Sequence, residues 1–486
     1  MGRAPDEDVQ SSLRSGTVWV GIASGLSGVF DLATTLACLW LWVSKAELGV
    51  ATMATALFPV IERIATLGLP SAAVRRADAD ARVLSSIFWL NLASACTVLL
   101  ISLVTAPAIG AAFGYPIVGV LVCAYAGKLV GQTIQLVPEA RLKHALQFDT
   151  LSKLKIGAFL AEASAKLVTA YFGGHGHPDL RIWCFVVGPI ASTVVMMVGT
   201  QLVRPWRPAL VFDRAEAKAA ARFGIHLSLA DLLYFAYTSA DYVVIGSVFG
   251  AAALGAYRLA YELVLDVVRL VSMVTAEVAF PAFTRLAGDP RAIGDQLIAL
   301  TRQNLSLVAP LLVVIGVAAG DLLAILYPPL GPSATTAAQI LCVVGALRSV
   351  SFVLPAMLAG LGHARDALVY NLVAAIVCPS AFAIAAHGWP GAGYLSVAWA
   401  WAASYPVPFV LLVWFALART RVRLVTYARG LAPVAAWAAV TAAAAMVVHG
   451  SLPASVWLRA AAVAAITAAS YGIFLLVRRE RTAVRG

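Results

Sequence analysis

Apolar positions dominate this chain in runs of roughly 20 residues, each long enough to cross a ~30 Å hydrocarbon layer as a helix. The pattern predicts fourteen spans, at 16–43, 47–73, 83–106, 113–137, 152–172, 180–203, 224–248, 252–280, 297–326, 333–361, 366–387, 391–417, 431–449 and 455–477. The connections are short and leave no sizeable domain outside the bilayer. The expected fold is an all-α membrane protein. Composition agrees: of 486 residues, 61% are hydrophobic and only 12% charged, about half the charged share of a soluble domain.

One run breaks the apolar rule. Gly255 to Glu277 reads GAYRLAYELVLDVVRLVSMVTAE. Arg258, Glu262, Asp266, Arg269 and Glu277 interrupt it at spacings that, at ~100° per residue, put all five within one arc of ~100° on an α-helix. A charge at bilayer depth costs at least ~2.5–3.5 kcal/mol, so the stripe must face protein or water. It is expected to wall a polar, water-filled cavity. The competing reading pairs Arg258 with Glu262 and Asp266 with Arg269 as ion pairs that only lock helices together.

The net charge of +11 would point to nucleic acid in a soluble protein. Here the basic residues sit in alternate connections instead. Arg3 and Arg14 precede the first span, and Arg75, Arg76 and Arg82 follow the second. Every second connection thereafter is basic, down to the tail with Arg478, Arg479, Arg481 and Arg485. The intervening connections hold only Lys45 and Arg181. The positive-inside rule therefore places both termini in the cytoplasm and makes the span count even, and nucleic acid is not an expected partner. The six cysteines (Cys38, Cys96, Cys123, Cys184, Cys342 and Cys378) lie in apolar segments without metal-ligand spacing, so they read as small hydrophobes and no metal is expected. The start, MGRAPDEDVQSSLRSG, lacks a cleavable signal pattern, which makes the first apolar run a retained span.

An internal repeat is also visible. Leu48, Gly49, Ala54, Arg63 and Ile64 match Leu254, Gly255, Ala260, Arg269 and Leu270 at an offset of 206. Pro138, Asp149 and Leu151 match Pro355, Asp366 and Leu368 at 217. Spans 1–6 and 7–12 thus read as two copies of a six-helix unit in the same orientation. The expected organisation is a tail (1–15), an N-lobe (16–203), a C-lobe (224–417), an appended pair (431–477) and a basic tail (478–486).

Ionisable residues inside spans mark where chemistry would sit. Arg63 and Lys128 from the first half, with Arg258, Arg269 and Arg348 from the second, are the candidates for binding an anionic cargo, since arginine offers a planar fork matching phosphate and carboxylate oxygens. Glu62 is next to Arg63 but points ~100° away on a helix. Lys166, four residues after Glu162, reads as a closed pair with it. Lys128 and Arg348 have no local partner within a turn. Asp31, Asp241, Glu262 and Asp266 are candidates for coupling transport to Na+ or H+. The remaining motifs carry little. His175-Gly176-His177 reads as a solvated turn, and Trp40, Trp42, Trp206 and Trp389 as interfacial anchors. There is no Walker A sequence, no HExxH and no long outer loop, so neither an enzyme, a catalytic residue nor an organic cofactor is expected.

Two stretches resemble a known family. SADYVVIGSVFGAAALGAYRLAYELV (239–264) with EVAFPAFTRLAGD (277–289), and VPEARLKHALQFDTLSKLKIG (137–157), are similar to the polysaccharide-transporter family of bacterial O-antigen and exopolysaccharide flippases. Gln147 departs from it, standing where the family usually has Arg before Phe148. That family lies in a superfamily with multidrug and toxin extrusion proteins and lipid II flippases. The resemblance implies two lobes around a central cavity and alternating access, and the basic residues inside both halves make that cavity cationic. It implies transfer of an undecaprenyl-diphosphate-linked oligosaccharide across the bacterial inner membrane for lipopolysaccharide or exopolysaccharide biosynthesis. Membrane lipids and a polysaccharide polymerase or co-polymerase would be partners. The alternatives within the superfamily are a drug or metabolite antiporter and a lipid II flippase; an extruder of organic cations should show an acidic cavity instead.

Overall fold

The computed structural model describes the backbone of residues 27–483 except 29, 287, 288, 328, 329 and 454; the side chains of 226, 227, 277, 278, 280, 281, 285, 290 and 478–483 are not among those described. The N-terminal tail, the first half of the first span, the Glu277 side chain and the side chains of the basic tail thus lie outside the described residues. What is described is helices and their connections, with no strand among them. Among the described residues, eleven helices are long and apolar enough to cross a membrane. Large apolar side chains stand outward, such as Val104 (80% exposed) and Ile384 (72%), as a lipid-facing surface requires. The protein is a multi-pass membrane protein.

The residues fall into two compact units that divide after Gly255. The first holds α1 (Phe30–Leu41), α2 (Lys45–Thr66), α3 (Leu69–Arg75), α4 (Ala81–Phe113), α5 (Pro116–His144), α6 (Phe148–Gly174), α7 (Leu180–Val203) and α8 (Arg214–Phe249). Helix α9 (Ala251–Tyr261) begins at its edge. The α4–α5 and α6–α7 hairpins pack along their lengths, and α8 packs on α2, α3 and α4. By packing, α8 therefore goes with the first unit, although the repeat would count its span with the second.

Local chemistry sets the ends of α2. Ser44 caps it: the Ser44 hydroxyl accepts from the Glu47 amide at 3.2 Å, and the Ser44 amide donates to the Glu47 carboxylate at 2.7 Å. It stops at Leu67, which is left-handed, followed by Gly68 at φ 66°. Between these ends α2 crosses α9 at backbone contact. A Cβ on Gly49 would meet the Ala251 carbonyl, and one on Gly255 would meet the Lys45 carbonyl. Each glycine, and each residue facing it, stands 206 positions from its counterpart, so the two contacts are reciprocal.

The second unit holds α10 (Val267–Arg285), α11 (Pro290–Leu326), α12 (Pro332–Ser351), α13 (Val353–Gly360), α14 (Ala364–Gly388), α15 (Leu395–Ser404), α16 (Pro406–Thr420), α17 (Leu424–Ser451) and α18 (Val456–Ala483). A single π turn, Glu262–Asp266, joins α9 to α10. The core gathers Phe283, Leu297, Leu354, Met357 and Leu412 from four helices. The C-terminal pair α17–α18 lies along α11. It is fastened there by the buried Asp321 carboxylate, which accepts from Arg459 at 2.5 Å and bonds His449 Nε2 at 2.6 Å.

One sequence expectation changes at this level. Trp206 is 8% exposed and packs on Phe88 at 5.5 Å, so it is a core residue rather than an interfacial anchor; Trp40 and Trp389 are more than half exposed. Cys38, Cys184 and Cys378 are buried, while Cys96, Cys123 and Cys342 are half-buried.

Candidate functional site

The C-terminal end of α2 carries Glu62 and Arg63. The close approach of Gly68 to Gly224 brings α8 against this end, where a Cβ on either glycine would collide with backbone. Phe235 of α8 then lies with its ring centroid 5.2 Å from the Arg63 guanidinium. Such a contact is worth ~0.5–2 kcal/mol depending on desolvation, but it uses none of the guanidinium's N–H groups.

Helix α5 faces the same place with a polar stripe. Lys128, Gln132, Gln135 and Glu139 are spaced 4, 3 and 4 residues apart and so share one face. Gln132, Gln135 and Glu139, with Asn91 of α4 and Glu62 and Arg63 of α2, line a cavity of about 200 Å³ within the first unit. Some of its polar atoms are satisfied: Glu139 pairs with Lys143 at 2.8 Å, and Asn91 Nδ2 donates to Thr133 at 2.8 Å. Others are not. Arg63 Nε, Asn91 Oδ1 and Gln135 Oε1 are buried with no hydrogen-bond partner among the described residues. A buried polar atom left so costs ~1–3 kcal/mol, and here three converge on one space.

Lys128 lies one turn further along the stripe. Its ammonium sits 5.0 Å from the Phe58 ring centroid, and Glu62 and Glu162 act on it through space without an ion pair within 4 Å. Asp31 is not alone on α1. It accepts from the Lys166 ammonium at 2.9 Å, which also donates to Thr35 at 2.5 Å. Lys166 is therefore paired with Asp31 rather than with Glu162, because its long stem carries the charge across to the neighbouring helix. Asp241 is fully buried and accepts from the Tyr242 amide at 2.8 Å.

In the second unit the charged stripe is not one arc. The π turn rotates everything after it by about one residue, ~100°, relative to an unbroken α-helix. Arg258 and Glu262 pair at 2.5 Å on a largely buried face, with side chains 16% and 18% exposed. Asp266 and Arg269 pair at 3.2 Å on a face 40% and 49% exposed. The two local ion pairs of the competing reading are thus both present. Arg348 is 4% exposed, donates to the Tyr261 hydroxyl at 3.1 Å, and lies 5.8 Å from the Trp401 ring, inside an aromatic core. His175 bonds the Tyr171 carbonyl at 2.8 Å and stacks on that ring. No group of three or more His, Cys, Asp or Glu that could hold a metal occurs among the described residues.

A family model described as "Polysaccharide biosynthesis protein" matches residues 42–329, more than half of the chain. The chain belongs to the polysaccharide biosynthesis protein family. The family match takes in Arg63, Lys128, the α5 stripe, Arg258 and Arg269, and leaves Asp31 and Arg348 outside. Among relatives in this family, the teichuronic acid biosynthesis protein TuaB of Bacillus subtilis (strain 168) is 24% identical over 355 residues, 72% of this chain and 71% of that protein. The lipopolysaccharide biosynthesis protein WzxC of Escherichia coli (strain K12) is 22% identical over 345 residues, 69% of this chain and 67% of that protein. In fold the chain is similar to the lipid II flippase MurJ in an inward closed conformation, with TM-score 0.76 over 95% of this chain and 99% of that one, at 11% identity.

The amides Asn91, Gln132 and Gln135 are not among the sequence candidates, all of which carry charge. Their signal was available: 128, 132, 135 and 139 repeat at helical spacing in an otherwise apolar span.

Proposed function

We propose that this chain is a flippase that moves an undecaprenyl-diphosphate-linked oligosaccharide across the bacterial inner membrane for surface polysaccharide biosynthesis. The observation that carries this is Arg63: a cation with a buried N–H that has no partner among the described residues, at a polar cavity inside a membrane-spanning bundle of a polysaccharide biosynthesis family member. Its fork suits the diphosphate. Lys128 stands on the same polar face as a second contact, and Arg258, Arg269 and Arg348 are candidates in the second unit. The chain works as a transporter, not an enzyme. Fourteen spans, two six-helix lobes about a central cavity, an appended pair and cytoplasmic termini are the architecture that alternating access would use. The reciprocal glycine contacts support the repeat behind it. Na+ or H+ coupling through Asp31, Asp241, Glu262 or Asp266 belongs to the same reading, as does a polymerase or co-polymerase partner.

The test is deletion of the chain and complementation with wild type or Arg63→Ala. Deletion is expected to remove surface polysaccharide and to build up its lipid-linked precursor on the cytoplasmic side. Wild type restores export, and Arg63→Ala inserts at normal levels without restoring it. Normal export in the deletion strain, with drug sensitivity in its place, overturns the reading in favour of an antiporter. Loss of viability with accumulated lipid II overturns it in favour of that cargo.

A further inference from the structure

The cavity beside Arg63 has properties that a diphosphate site does not need. Its formal charges cancel: Glu62 and Glu139 against Arg63 and Lys143. An anion site would be net positive and a site for organic cations net negative. Its other polar groups are carboxamides, Asn91, Gln132 and Gln135, which offer donors and acceptors side by side. Two of the unanswered atoms, Asn91 Oδ1 and Gln135 Oε1, are acceptors, and the third, Arg63 Nε, is a donor. At about 200 Å³ the space holds roughly six or seven waters at ~30 Å³ each. That is room for a compact group of several hydroxyls.

The geometry points to a sugar subsite: the cavity between α2, α4 and α5 takes the ring nearest the diphosphate, with Asn91, Gln132 and Gln135 meeting its hydroxyls and Arg63 at the junction with the phosphate. This rests on the flippase reading and adds which part of the cargo the first unit recognises. Hydroxyls donate and accept at once, so they answer both kinds of unpaired atom. A lipid diphosphate without sugar leaves those atoms to water and forgoes the hydroxyl contacts, so the cavity favours the glycan lipid. The position near the cytoplasmic ends of α2 and α5 suits selection of the glycan before it is carried across.

The test compares two lipids binding to the purified full chain in detergent. One is the lipid-linked glycan extracted from the deletion strain; the other is undecaprenyl diphosphate. Wild type is expected to bind the glycan lipid at least about tenfold tighter. In Asn91→Leu/Gln135→Leu that ratio falls to about one. If wild type binds both lipids equally, or the double variant keeps the preference, the subsite is overturned while the flippase reading stands. If the deletion strain accumulates no such lipid, both fall together. Where the double variant is not recovered folded, Gln132→Leu, on the half-buried side of the cavity, replaces it and is read the same way.

Discussion

Three arginines that look alike in the sequence have three different environments. Arg63 has a buried N–H with no partner among the described residues, Arg269 is closed by Asp266 on a half-exposed face, and Arg348 is enclosed by Tyr261 and Trp401. Their substitutions should separate. A charge-assisted hydrogen bond is worth ~1.5–3 kcal/mol, so Arg63→Ala should cut precursor translocation by about tenfold or more at normal protein level. The Asp266–Arg269 pair is worth ~0–1 kcal/mol, so Arg269→Ala should change it by less than about fivefold. Arg348→Ala empties part of a packed core and should lower the thermal midpoint in detergent. Reconstituted translocation and fluorescence-detected gel filtration distinguish these outcomes. At this scale the sequence is half legible. Arg63 stands out because a cation in an apolar run is costly and has to be explained. Asn91 and Gln135 do not, because an amide carries no charge and its cost depends on whether a neighbour answers it, which only packing decides.

Helices were the most legible elements. Residues 180–203 read as a span and form α7, Leu180–Val203. The apolar run dictates this, since a backbone in lipid must satisfy its own hydrogen bonds. The π turn was not legible: one extra residue in a helix changes neither composition nor hydropathy. Yet it moved Asp266 and Arg269 off the face that holds Arg258 and Glu262. The repeat, read at positions 49 and 255, acquires a physical cause, because both glycines permit the same backbone crossing. Gly49→Ala and Gly255→Ala should each destabilise by about 1–3 kcal/mol, because the new methyl meets a carbonyl that cannot swing aside. Gly157→Ala in α6, where nothing lies within 4 Å, should be neutral or stabilising by up to ~1 kcal/mol. Thermal unfolding of the three variants in detergent checks the contrast.

For the whole molecule, charge in the connections predicts an orientation without any reference to packing. A cysteine replacing Gly176, in the α6–α7 connection, should react with an impermeant thiol reagent on intact spheroplasts. One replacing Arg207 should react only after permeabilisation, and a C-terminal green fluorescent protein should fluoresce. The reverse pattern would invert the topology, and with it the side on which the Arg63 cavity loads. The division after Gly255 was not legible, because compactness depends on which helices touch rather than on which are alike. It falls five residues into α9, close to the π turn. That turn has a consequence for how the family can vary. Helical phase downstream of residue 266 depends on how many residues precede it, not only on which ones. Losing a single residue between 262 and 266 would restore an even winding and swing the α10 side chains, Arg269 among them, by about a quarter turn. One codon, with no charge altered, is enough to re-aim that half of the helix.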